Sequence, residues 1–152
     1  MSGIEIAVAR PADIEALASN LRPHDVAEIR AASGLTPEAG LRRSFAFSTH
    51  VWAARQDGDD VVAVWGVGPL SLTAGKGCPW LLASPAFDRL GRQIVGLSRP
   101  LLGHVRVAYP HLENRVDARN RRAVRWLGWL GFVVEPPAPW GVEGRPFHRF
   151  WL

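Results

Sequence analysis

The chain has 152 residues, 47% hydrophobic and 21% charged, which fits one soluble globular domain, 1–152, with a single core. Its formal net charge is +4, its sequence pI is about 10.5, and Lys76 is the only lysine among 18 basic residues. With Cys78 as the only cysteine, an intrachain disulfide is excluded, and no apolar run approaches the roughly 20 residues that span a bilayer.

In chain order, Ile4 to Ala9 alternates apolar and polar residues and predicts a strand. Pro11 opens a helix whose buried stripe is Ile14, Leu17 and Leu21. Pro23 restarts the helix, which runs to a stop near Gly34. Thr36-Pro37 caps and opens another, with Leu41, Phe45 and Phe47 facing inward. Val51 to Arg55 and Val61 to Val67 are strands joined by a hairpin turn at Asp57-Gly58. Gly75-Lys76-Gly77 reads as a flexible break, and Cys78 to Ser84 as a strand with Pro79 at its start. Asp88 to about Leu102 predicts a helix in which Pro100 kinks the last turn or begins a new one. Leu112 to Val116 is a short strand. Asn120 then caps a helix with Ala123, Val124, Trp126, Leu127 and Leu130 on its apolar face, and Gly131 ends it before a strand from Phe132. Pro136 to Gly141 is a loop, and Phe147 to Leu152 the last strand. The sum is an α/β fold with a mixed central sheet of about six to seven strands and helices on both faces.

The order of these elements, and the run Asn120-x-x-Ala123-x-x-x-Leu127-x-x-x-Gly131-Phe132 above all, resembles the GCN5-related N-acetyltransferases (GNATs) over essentially the whole chain. That resemblance implies that Leu82, Ala83 and Asn120 lie along the pantetheine arm of acyl-CoA. Two positions depart from it. Leu127 stands where the family usually has a tyrosine that protonates the departing thiolate. Ser84 to Gln93 replaces the loop [Arg/Gln]-x-x-Gly-x-[Gly/Ala] that cradles the pyrophosphate, and Pro85 removes one N–H donor. Arg89 and Arg92 remain able to hold phosphates by side chain. A narrower set is similar to the GNAT-like proteins of tailed bacteriophages, including relatives of podophage internal virion protein A. It comprises Trp65-Gly66-Val67, Gly77 to Leu82, Asn114-x-x-Asp117 to Asn120, Arg125 to Phe132 and Pro139 to Phe147. This implies a virion protein made in the bacterial host cytoplasm, acting as a structural or interaction module near the portal, with degenerate or absent acetyltransferase activity. No cofactor is then expected. The alternative is an active enzyme using acetyl-CoA.

Residue chemistry adds candidates to both readings. Arg115, Arg119, Arg121, Arg122 and Arg125 crowd one strand-to-helix junction, and Arg121 and Arg122 sit where cations oppose the helix dipole. A bound anion explains them: CoA phosphates, nucleic acid or a partner's carboxylates. A solvated face explains them equally. Asp117 pairs with Arg121 or caps the helix. His111 and Glu113 are candidate general bases, or exposed strand residues. The five histidines and single cysteine show no metal-ligand spacing. Trp126 is expected in the core, Trp129 and Trp140 at an interface with head or portal proteins or a second copy, and Cys78 as a buried small hydrophobe. Met1 to Ile6 lacks the features of a signal peptide.

Overall fold

The structure, a computed structural model, describes residues 3–71 and 75–152; Met1 and Ser2, part of the leader reading, lie outside them. Eight strands follow the path β1(Ile4–Val8), β2(His50–Gln56), β3(Asp60–Ser71), β4(Lys76–Ala83), β5(His111–Asp117), β8(Arg145–Trp151) and β6(Val133–Val134), with β7(Ala138–Trp140) also on β8. All pairings are antiparallel except that of β4 with β5. The helices are α1(Pro11–Ala18), α2(Pro23–Ser33), α3(Pro37–Phe47), α4(Ala86–Arg89), α5(Gly91–Ala108) and α6(Arg121–Leu130).

The capping and turn chemistry acts as the residues predict. Thr36 Oγ1 accepts the Ala39 N–H at 3.2 Å, and Asn120 Oδ1 accepts that of Ala123 at 3.2 Å. Gly131 ends α6 at a φ of 104°. Asp57 and Gly58 both take positive φ, as a tight hairpin between twisted strands requires. Several boundaries differ from expectation, including the end of β3, which runs past Val67 to Ser71. Lys76 and Gly77 are strand, because they pair with both β3 and β5. β7 forms inside the Pro-rich loop, since Ala138 to Trp140 finds the free edge of β8. The chain from Asp88 divides into α4 and α5, and α5 continues through Pro100 to Ala108. Its apolar stripe keeps packing, with Val105 buried and Leu101 and Leu102 against the sheet, which outweighs the one backbone bond that Pro100 cannot make.

Alternation along the strands divides the core between the two faces. Leu82, Trp80, Val64 and Ala53 meet α1 and α3 on one face. Leu81, Ala83, Trp65 and Ala63 meet Phe87 and Leu101 of α4 and α5 on the other. A third cluster joins Leu112, Val116, Leu127, Phe132 and Phe150 under α6.

Candidate functional site

β4 and β5 pair only at Lys76 with His111 and Gly77 with Leu112, and then diverge. Asn114 Nδ2 donates to the Pro79 carbonyl at 2.7 Å where the opening begins. Register decides which backbone groups face it. Ser84 N–H donates to the Val62 carbonyl at 2.9 Å, so even-numbered β4 residues bond β3 and odd-numbered ones turn toward β5. Pro79, which has no N–H, sits at an outward position and costs no ladder bond. The Ala83 N–H goes to Asp25 Oδ2 at 2.9 Å, and its carbonyl accepts the Arg22 N–H at 2.8 Å. Leu81 N–H and C=O have no partner among the described residues. On β5, mutual bonds of Leu112 and Leu152 turn the odd residues toward the opening. There Arg115 N–H meets Asn114 Oδ1 at 2.7 Å, and Asp117 N–H meets Glu28 Oε1 at 2.6 Å.

α2 therefore closes the wide end of the splay with its own carboxylates. Arg22 is buried, grips Asp25 with two bonds of 3.0 Å, reaches Asp88 at 3.1 Å and lies over the Phe87 ring. Burial raises the Asp25 pKa above its ordinary value, against the pull of Arg22. No cation bonds Glu28 among the described residues, although the Arg22 charge reaches it. It keeps a sliver of surface in the cleft, but most of its surroundings are protein. Burial, with Asp25 and Asp117 nearby, pushes its pKa up to about 7 despite the bond from Asp117.

A cleft of about 1080 Å³ passes through the opening and has walls from both faces. One side carries Glu28, Arg43, Phe47, Cys78, Trp80, Arg115 and Trp140; the other carries Ile94, Val95, Asn120, Arg121, Trp126 and Leu127. The Arg115 guanidinium lies 5.1 Å from the Trp140 ring centroid and makes no ion pair or hydrogen bond among the described residues. Trp140 is held by its edge contact with Phe147, and by the turn after it, where Val142 and Glu143 donate to the carbonyls of Ala32 and Ala31. Gly141 allows this approach: its φ is 79°, and a Cβ there would lie 2.5 Å from the Ala31 carbonyl oxygen. Burial pushes the Cys78 thiol up to about 11, so it is a protonated wall residue at neutral pH.

The sequence candidates separate sharply. Asn120, Leu82, Arg115, Arg121, Arg122 and Trp140 all border the cleft. Ala83 is at the splay, but its backbone is occupied by α2, as the Ala83 bonds above show. His111 and Glu113 lie outside the cleft lining, and Glu113 is bound to Arg149 at 2.7 Å, which holds its pKa below the ordinary value. Arg89 and Arg92 are exposed beside the start of α5, also outside the lining. Trp129 projects from α6 at 45% exposure and stacks with Arg99 at 4.0 Å. Asp117 pairs with Arg119 at 2.6 Å, not with Arg121, and Asn120 provides the cap. Burial opposes ionisation of Asp117, yet the Arg119 bonds prevail and keep its pKa low. Trp126 is half-buried rather than core, donating to Ser98 at 3.3 Å across to α5. Sequence reasoning passed over Glu28, Asp25 and Arg22 altogether. The weak signal available was their i,i+3 spacing at the start of the helix that Pro23 opens.

The donors suit parts of an acyl-CoA molecule. Leu81 offers one N–H and one C=O in the splay, as a pantetheine amide requires. The first turn of α5 has no side-chain cap and no acidic residue, so the Arg92 and Gln93 amides are open to an anion. Asp88 nearby is balanced by Arg22 and by Arg122 at 3.9 Å. Tyr109, the only tyrosine, bonds Thr49 at 2.9 Å away from the cleft, and Leu127 has no proton to give. Among the described residues no group of His, Cys, Asp and Glu could hold a metal ion, and no helix is long and apolar enough to cross a membrane.

No protein-family model and no curated protein matches the sequence. Solved structures do match the backbone. A chimeric spermidine N-acetyltransferase from Vibrio cholerae superposes with a TM-score of 0.71 at 11% identity, covering 98% of this chain and 94% of that one. An inferred acetyltransferase from Acinetobacter baylyi gives 0.72 at 13% identity, covering 100% and 93%. YncA from Salmonella typhimurium, an inferred acetyltransferase solved with its cofactor acetyl-CoA, gives 0.68 at 20% identity, covering 99% and 93%. At these identities the likeness is one of fold: the chain has the GNAT fold.

Proposed function

We propose that this chain is an acyl-CoA-dependent N-acyltransferase working through the opening between β4 and β5. The observation that carries the proposal is Glu28, a carboxyl without a cation, its pKa raised to about 7, at the mouth of a cleft that passes between the splayed strands. A base poised near neutrality is what deprotonation of an amine nucleophile needs. Bound acyl-CoA would supply a thioester, whose acyl carbon the amine attacks and whose sulfur leaves as the thiol. Leu81 N–H and C=O would hold the pantetheine arm, and the first-turn amides of α5, with Arg89 and Arg92 beside them, would face the phosphates. Glu28 would take the ammonium proton, and solvent would protonate the departing sulfur, since Leu127 cannot. The test is thiol release from acetyl-CoA with a panel of primary amines. Wild type turns over, and Glu28→Gln loses about 10²–10⁴-fold in kcat. Equal rates in the two proteins would remove Glu28 from the chemistry, and no CoA binding at millimolar concentration would end the proposal.

A second reading keeps the fold and drops the chemistry: a virion-associated module that binds portal or head proteins, a second copy, or an anionic surface such as nucleic acid. It is favoured by Leu127, by the occupied Ala83 backbone, and by Arg121 and Arg125, which make no ion pair among the described residues. The phage assignment rests on sequence resemblance alone. Fixed copy number in purified virions, with no CoA binding, would establish this reading. Steep salt dependence would mark the nucleic-acid form.

A further inference from the structure

The acceptor side of the cleft contains cations and carboxylates in unequal states. Asp25 is held by Arg22 and Asp117 by Arg119, each at 3.0 Å or less. Glu28 has no ion pair among the described residues, feeling Arg22 and Arg119 only at a distance, while Arg115 and Arg43 have no carboxylate bonded to them. Glu113, the nearest acid on the Arg115 strand, is committed to Arg149. The uncommitted side chains therefore comprise one carboxyl and two guanidinium groups. A polycationic amine would meet net repulsion there. An amine that carries its own anion would match both signs.

Geometry narrows the size of that molecule. Glu28 bonds the Asp117 N–H at 2.6 Å, and Arg115 lies two residues earlier on the same face of β5. Two strand residues span roughly 7 Å along the backbone, which puts Glu28 and the root of the Arg115 side chain within reach of one small molecule. An ammonium and a carboxylate on one carbon, each adding a hydrogen bond of about 2.8 Å, bridge that distance. Arg115 is also pre-positioned. Its guanidinium lies over the Trp140 ring, 5.1 Å from the centroid, and that contact restrains a side chain whose fork of donors matches a carboxylate. Phe47, Trp80 and Val142 supply apolar wall to the same cleft, beside the polar Ser44 and Arg43.

We infer that the acceptor is a free α-amino acid with an apolar side chain, its carboxylate held by Arg115 and its amino group facing Glu28. Arg115 is then a specificity residue for the acyl transfer proposed above, and the inference rests on that reading. The test compares L-phenylalanine, L-phenylalaninamide and 2-phenylethylamine, which differ in the carboxylate, in wild type and Arg115→Gln. Turnover is followed by thiol release from acetyl-CoA, and binding to the CoA-saturated protein by NMR titration. Wild type should favour L-phenylalanine by tenfold or more in KM and in Kd. Arg115→Gln should raise both for L-phenylalanine by tenfold or more, with kcat within about threefold, and leave 2-phenylethylamine within twofold. Equal affinity for the three ligands, or an equal loss for all in Arg115→Gln, overturns the inference even where CoA binds and turnover is seen. Spermidine acting better than L-phenylalanine overturns it too. Lack of CoA binding overturns the acyltransferase reading instead, and ligand titration without CoA still reports on Arg115.

Discussion

Two enclosed carboxylates on consecutive helices, one buried and one bordering the cleft, have opposite surroundings. Asp13 on α1 meets Arg55 of β2 through bonds of 2.9 and 2.6 Å, and also accepts the Arg10 N–H at 2.7 Å. Both partners are nearly free of solvent. The Arg55 guanidinium holds the Asp13 carboxyl far below the usual range. Glu28 on α2 meets one backbone N–H and no cation, and its pKa moves up instead. The first junction is saturated and fixes α1 to the sheet. The second is left short of charge, at the place where β4 and β5 part. Burial alone does not decide what a carboxylate does; the partner does.

Asp13→Asn breaks the saturated junction and should have the largest effect. It leaves Arg55 buried without its anion, so unfolding free energy should fall by about 3–5 kcal/mol in chemical denaturation. Glu28→Gln should do the reverse. The Gln carbonyl can still accept the Asp117 N–H, so stability at pH 7 should hold or rise while acyl transfer is lost.

The two carboxyls should also differ in pH response. The Asp13 pKa is depressed, so its contribution is full above its ordinary value of 3.8 and is lost as pH falls. The Glu28 pKa is raised from 4.5 to about 7, so the folded state binds more protons than the unfolded one in that window. Stability should therefore fall as pH rises from about 4.5 to about 7, and Glu28→Gln should flatten that slope. The wild-type rate should climb over pH 6–8 as Glu28 loses its proton. A slope unchanged in Glu28→Gln would mean that the two carboxyls are less different than their surroundings suggest.

Smaller effects sharpen the contrast from outside both junctions. Asn120→Ala should cost about 1 kcal/mol through the lost α6 cap. Trp129→Ala should cost no more than about 1 kcal/mol, since Arg99 covers it only at the surface. If the Trp129 change abolished binding to a partner protein while leaving acyl transfer intact, the interaction-module reading would gain.

Much of this fold could be read locally. Asn120, Gly131, Thr36 and Asp57-Gly58 act within three or four residues of themselves, and their roles followed from residue type. The continuation of α5 past Pro100 did not follow, because packing against the sheet decides it. β7 was missed because three residues on an edge have no pattern until β8 is placed beside them. Glu28 was invisible for the same reason on a larger scale. Its partner Asp117 is 89 positions away, and nothing in an Ala-rich helix marks the one carboxylate that ends up without a cation. Conversely, His111 and Glu113 drew notice by lying on the right strand, but both are outside the cleft lining and Arg149 takes Glu113 out of use.

The most direct measurement is an amide NMR titration with acetyl-CoA. The amides of Leu81, Arg92 and Gln93 should shift with a common saturating curve in the micromolar to low millimolar range, while that of Asp13 stays still. No saturable change at Leu81 would contradict the central claim, because the free backbone pair in the splay would then not be a ligand site.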